Sequence, residues 1–80
     1  MNIGTRIYYT GDMANHEGHF VVAAIRSPGC FDLRELPGDL SHGREFKGVY
    51  DVQIGHEYHG HANPRFVTEE ARQAYRRARS

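Results

Sequence analysis

Ile3, Thr5, Ile7 and Tyr9 share one parity along the chain, and Arg6, Tyr8 and Thr10 take the other. A period of two over that length predicts a half-buried strand. It stops at Gly11-Asp12, and residues 11–18 (Gly-Asp-Met-Ala-Asn-His-Glu-Gly) read as a polar loop bounded by glycines. From His19 to Arg26 the run Phe20-Val21-Val22-Ala23-Ala24-Ile25 is apolar on both parities, the mark of a central strand covered on two sides. Ser27-Pro28-Gly29 is a turn signal. Phe31, Leu33 and Glu35 then alternate with Asp32, Arg34 and Leu36 as far as Pro37-Gly38-Asp39, which gives a third strand. Beyond Gly43, residues 45–54 resume the alternation, with Tyr50, Val52 and Ile54 on one side and Val49, Asp51 and Gln53 opposite. Gly48 inside that run predicts a bulge or sharp bend.

Between Gly55 and Pro64 the chain turns to His, Gly and Asn with little apolar content, a loop pattern. Thr68-Glu69-Glu70 is a helix start, an N-cap hydroxyl followed by acids that complement the helix dipole. Val67, Ala71, Ala74, Tyr75 and Ala78 form an apolar stripe at helical spacing, and arginines load the last turns. The expected architecture is mainly β: a small barrel or curled antiparallel sheet of about five strands with a C-terminal helix. It forms one domain, with the sheet at 3–54, a His/Gly-rich loop at 55–66 and the helix at 67–79. The expected core is Ile3, Ile7, Tyr9, Phe20, Val22, Ala24, Phe31, Leu33, Tyr50, Val52 and Ile54.

Eighty residues suffice for one small core, and the nine aromatics among them can fill it. Formal net charge is zero, but residues 1–64 carry 5 basic and 8 acidic side chains (−3), and residues 65–80 carry 5 and 2 (+3). A weakly acidic body therefore bears a basic helix. The single cysteine, Cys30, forms no internal disulfide and no Cys-pair metal framework. It opens a strand with no local base, which gives no sign of a catalytic pair. No stretch is long enough to span a bilayer and no signal-peptide pattern is present, so the expectation is a soluble, cytoplasmic protein without membrane contact.

Three constellations carry candidate chemistry. His56, Glu57, His59 and His61 fall within six residues, and zinc sites commonly use three such ligands. The spacing is not the helical His-Glu-x-x-His motif, so zinc competes with an ordinary polar loop, and no cofactor is otherwise implied. In the Gly11–Gly18 loop, Asp12, Asn15, His16 and Glu17 cluster between two strong strands, where binding residues sit on rigid scaffolds; Asp12 also suits an Asx-turn and Asn15 tolerates positive φ. On the helix, Arg72, Arg76 and Arg79 recur at helical spacing. With Arg77 and Arg65 they make a candidate phosphate-tracking face or an ordinary solvated one.

The strand plan over residues 3–54 resembles the SH3-like small barrels of the Tudor and KOW type. Leu40-Ser41-His42-Gly43-Arg44-Glu45-Phe46-Lys47-Gly48-Val49 looks like their recurring hairpin. The opening Ile7-Tyr8-Tyr9-Thr10-Gly11-Asp12-Met13-Ala14-Asn15 is similar to that of small uncharacterised proteins carried by bacterial plasmids and phages, which implies a genetic setting and no particular activity. The Tudor resemblance implies an aromatic cage, for which Tyr8, Phe46 and Tyr50 are the available rings. Together these readings point to a non-catalytic protein-interaction module, monomeric or weakly homodimeric. It fits an accessory or inhibitor of a mobile element, contacting a protein partner through Tyr8, Asp12, Asn15, His16, Glu17 and Tyr50. The alternative is nucleic-acid binding through the arginine helix.

Overall fold

The alternating runs fold as strands, but the chain adds two short ones that alternation does not reveal. The structure, a computed structural model, describes residues 1–12, 15–38, 42–61 and 64–79. Its strands are β1 (Arg6–Tyr9), β2 (Gly18–Ser27), β3 (Cys30–Glu35), β4 (Glu45–Tyr50), β5 (Ile54–Gly55) and β6 (Phe66–Thr68). A 3-10 turn (Asp51–Gln53) joins β4 to β5, and one helix, α1 (Glu69–Arg79), follows β6. The strands lie in the order β4-β3-β2-β1-β6-β5, antiparallel except for the β5–β6 pair. The two outermost strands, β4 and β5, are separated by that three-residue turn alone. So short a tether spans only about 3.3–3.6 Å per residue, which requires the sheet to curl until its edges approach. The result is a curled half-barrel with one helix. Register shifts between Val22 and Ala24 and between Ile25 and Ser27 on β2, and between Phe31 and Leu33 on β3, bend the strands to that curvature.

The inner face holds the core: Ile7, Tyr9, Phe20, Val22, Phe31, Leu33, Val49, Ile54 and Phe66, with Phe46 packed against them. Four expected core members lie elsewhere. Ile3 is 66% exposed because the chain turns at Asn2–Thr5 before β1 begins. Ala24 follows the register shift on β2 and is only partly covered. Tyr50 and Val52 are 60% and 95% exposed. Gly48, at φ +70, explains the last pair. It takes the left-handed conformation of a bulge, and its N–H donates to Asp32 Oδ1 at 3.0 Å. Phe46 and Val49, three residues apart, therefore both turn inward. Tyr50 turns outward, and the 3-10 turn carries Val52 into solvent before Ile54 returns to the core.

The helix begins at Glu69, not at residue 67. Thr68 caps it, accepting a 3.1 Å hydrogen bond from the Ala71 N–H. Val67 belongs to β6, fully buried and paired with Tyr8, and Phe66, expected in a loop, pairs with Tyr9. The helix packs on β1 and β6.

Candidate functional site

Glu35 alternates with Phe31 and Leu33 and so points inward, a carboxylate only 3% exposed in its side chain. Burial of that charge requires a partner. Arg44 supplies it: Nη2 lies 2.8 Å from Oε2 and Nε 3.2 Å from Oε1, while the His42 and Arg44 N–H groups donate to Oε1 at 3.0 and 3.1 Å. The Arg44 guanidinium and these amides hold the Glu35 carboxyl down at about 2, against the opposing effect of burial. The pair passes directly over Gly18, where a Cβ would meet Arg44 Nη2 at 2.7 Å and Glu35 Oε2 at 2.9 Å. Arg44 also donates from Nη1 to the His16 carbonyl at 2.9 Å and stacks near the Tyr9 and Phe20 rings.

The loop after β1 is fastened at further points. Asp12 Oδ2 accepts from the Tyr9 hydroxyl at 2.5 Å and Oδ1 from the Asn15 N–H at 2.7 Å, and the Asp12 N–H returns to the Asn15 carbonyl at 2.7 Å. This is the Asx-type closure expected of Asp12. Asn15 achieves it without positive φ, which the described residues show only at glycines. Burial, and then the bond to Asp12, raises the Tyr9 phenol. Glu17 accepts from the Tyr8 hydroxyl. Asp12, Asn15, His16 and Glu17 thus form a rim held by side chains of β1 and by Arg44; Met13 and Ala14 of that loop lie outside the described residues.

Asp12 and Asn15 of this rim, but not His16 or Glu17, line a cleft of ≈ 310 Å³ at the open mouth of the half-barrel. Tyr9, Phe46 and Phe66 form its floor, with ring centroids of 4.9, 5.2 and 5.3 Å between them. Asp12, Asn15, Gln53 and Arg65 complete the lining together with the β4 residues Phe46–Val49. Thr10 positions Arg65: its N–H donates to the Arg65 carbonyl at 2.8 Å and its hydroxyl to the same carbonyl at 3.1 Å. The Arg65 guanidinium comes within 3.7 Å of Asp12 while its side chain remains 68% exposed.

Tyr8 is not available for contact. It is 4% exposed, on the face of β1 opposite Tyr9, with Arg72 over its ring at 4.4 Å and Tyr58 and His19 beside it at 6.1 and 5.4 Å. Burial first, and then Glu17, push its phenol up to about 12, with Arg72 opposing. Tyr8, Phe46 and Tyr50 therefore do not assemble into a cage; Phe46 packs instead with Tyr9, Phe20 and Phe66. Nor do Arg72, Arg76 and Arg79 form one exposed stripe. Arg72 lies 3.5 Å from Glu69 with 18% of its side chain exposed. Arg76, Arg77 and Arg79 are exposed at the helix end, where Arg79 covers Tyr75 at 5.5 Å.

The histidine segment is divided. His59 and His61 stack at 6.2 Å, with Glu57 3.7 Å from His59, whereas His56 lines a separate groove with Thr68, Glu69 and Ala71. Among the described residues no group of three or more His, Cys, Asp or Glu is placed to hold a metal ion, so the proposed zinc set does not converge. Cys30 is buried as a free thiol. Among the described residues, no helix is long and apolar enough to cross a membrane.

Comparison with family models, with curated proteins and with solved structures finds no match to this chain. Asp12, Asn15 and Arg65 were legible as candidates, and Phe46 only as a ring of the cage that does not form. Tyr9, Phe66 and Lys47 were not, because what unites them at the cleft is the meeting of two sheet edges, and no local pattern records it.

Proposed function

We propose that the chain is a non-catalytic protein-interaction module whose contact surface is the mouth of the half-barrel: the cleft floored by Tyr9, Phe46 and Phe66, its rim of Asp12 and Asn15, and exposed Arg65. It fits an accessory or inhibitor carried by a mobile element that docks on a host or plasmid protein. The observation that carries this reading is the preorganisation of the rim. Asp12 and Asn15 are fixed by reciprocal hydrogen bonds and Tyr9, so a partner meets a surface whose ordering cost was met on folding. An aromatic floor with a few placed polar groups is the usual composition of a binding cleft.

The test is an affinity capture from bacterial lysate with and without nuclease, using the wild type and a Lys47→Glu/Arg65→Glu variant. A protein retained after nuclease and lost in the variant supports the reading. Capture that collapses with nuclease opposes it and moves the weight to nucleic acid at Arg76, Arg77 and Arg79.

A further inference from the structure

The outer edge of β4 pairs with no strand among the described residues. A strand edge presents backbone donors and acceptors to any extended chain that reaches it. On β4 Gly48, at φ +70, breaks the extended run and ends that opportunity, and this leaves Glu45–Lys47 as the open segment. The segment borders the cleft: Phe46 contributes its half-buried ring to the floor beside Phe66, and Lys47 and Arg65 stand on the walls with exposed cations. Among the described residues the one carboxylate in the lining, Asp12, already holds the Tyr9 hydroxyl, the Asn15 amide and Arg65. The described lining therefore carries two cations against one engaged anion, which favours an anionic occupant.

We infer that the cleft takes an extended acidic segment of a partner protein, added as a strand along β4. An apolar side chain of that segment rests on Phe46 and Phe66, and a neighbouring carboxylate lies between Lys47 and Arg65. This rests on the protein-interaction reading and gives the partner its chemistry. Strand addition supplies affinity through the backbone, and the alternate side chains supply selectivity.

The test titrates the isotope-labelled protein with a short alternating Glu/Val peptide and with its Lys/Val counterpart, read by backbone amide shifts. The expected result is shifts confined to Glu45–Tyr50, Asp12 and Arg65–Phe66, with the acidic peptide bound at least about tenfold more tightly. Lys47→Glu/Arg65→Glu reverses that preference with an unchanged melting temperature. N-methylation of the peptide amides that face β4 abolishes binding, and methylation of the alternate amides does not. Equal binding of the two peptides, indifference to N-methylation, or shifts on the helix overturns the inference. So does concentration-dependent dimerisation that moves the same β4 amides, because a second copy then occupies the edge. If neither peptide binds but the captured partner is lost in the Lys47→Glu/Arg65→Glu variant, strand addition falls while the interaction reading stands. If capture is also unaffected by the variant, both fall.

Discussion

Tyr8 and Tyr9 are neighbours on β1 and both are buried, at 4% and 2% exposure, yet they are buried by different means. Tyr9 joins an apolar inner face of Phe20, Phe46 and Phe66, with its hydroxyl on Asp12 and the Arg44 guanidinium near its ring. Tyr8 lies under the helix in a clasp of Glu17, Arg72, His19 and Tyr58, where nearly every contact is directional. Inner-face burial is non-directional and scales with area, so that face carries most of the stability. The outer clasp contributes less, but it fixes where the loop and the helix sit relative to the sheet. The difference assigns the work: inside holds the fold, outside sets the geometry, and the mouth, where the inner face reaches solvent, is the surface we propose for contact.

The largest effect should come from the inner face. Phe20 is fully buried, and Phe20→Ala is expected to cost about 3–5 kcal/mol, comparable with the whole stability of so small a domain. A melting temperature like that of the wild type would contradict this division of labour. Next is Glu35→Gln, which leaves Arg44 without its carboxylate and should cost roughly 1.5–3 kcal/mol at neutral pH. The Glu35 carboxyl is held at about 2 in the fold, below its unfolded range. Between the two values the unfolded chain binds a proton that the folded chain does not, so this stabilisation is present at neutral pH and is lost as pH falls through that window. Denaturation as a function of pH should show the loss in the wild type and its attenuation in Glu35→Gln.

The outer clasp should respond more modestly. Arg72→Ala removes the cation over Tyr8 and should cost roughly 1–2 kcal/mol. Tyr8 gives that region its own signal. Its phenol, pushed up to about 12, should titrate above the ordinary phenol range when followed by tyrosinate absorbance. Its contribution to stability is complete below the ordinary phenol range and is lost as pH rises through the folded value. Glu17→Gln should lower that titration point and Arg72→Ala should raise it further, because Glu17 disfavours the phenolate and Arg72 favours it. Opposite movements would mean the clasp is not formed as described. The smallest stability effect belongs to the mouth. Lys47→Glu/Arg65→Glu alters exposed side chains and should stay within about 0.5 kcal/mol of the wild type by denaturant unfolding while removing the partner.

The same contrast governs what could be read from the chain. β2 was legible from its continuous apolar run, Phe20 to Ile25, and β3 from its alternation, in which Phe31, Leu33 and Glu35 are all buried. The side of β4 was misread although the Gly48 bulge itself was foreseen: one extra residue flips the parity of everything after it, exchanging Val49 for Tyr50. β5 and β6, of two and three residues, are too short to show a period. At the mouth, the loop acids announced themselves by composition, and the Arg44–Glu35 pair left only the trace of an acid on an apolar parity. The helix arginines misled for a physical reason. Helical spacing says which residues share a side, but not that Arg72 turns from that row to cover Tyr8.

The most direct test of the mouth as contact surface is photo-crosslinking from a reactive phenylalanine analogue placed at Gln53, which lines the cleft, compared with the same analogue at exposed Ala78 on the helix. A discrete protein adduct from position 53, unchanged by nuclease and absent from position 78, is the predicted result. Adducts from position 78 alone, or adducts that disappear with nuclease, would contradict it.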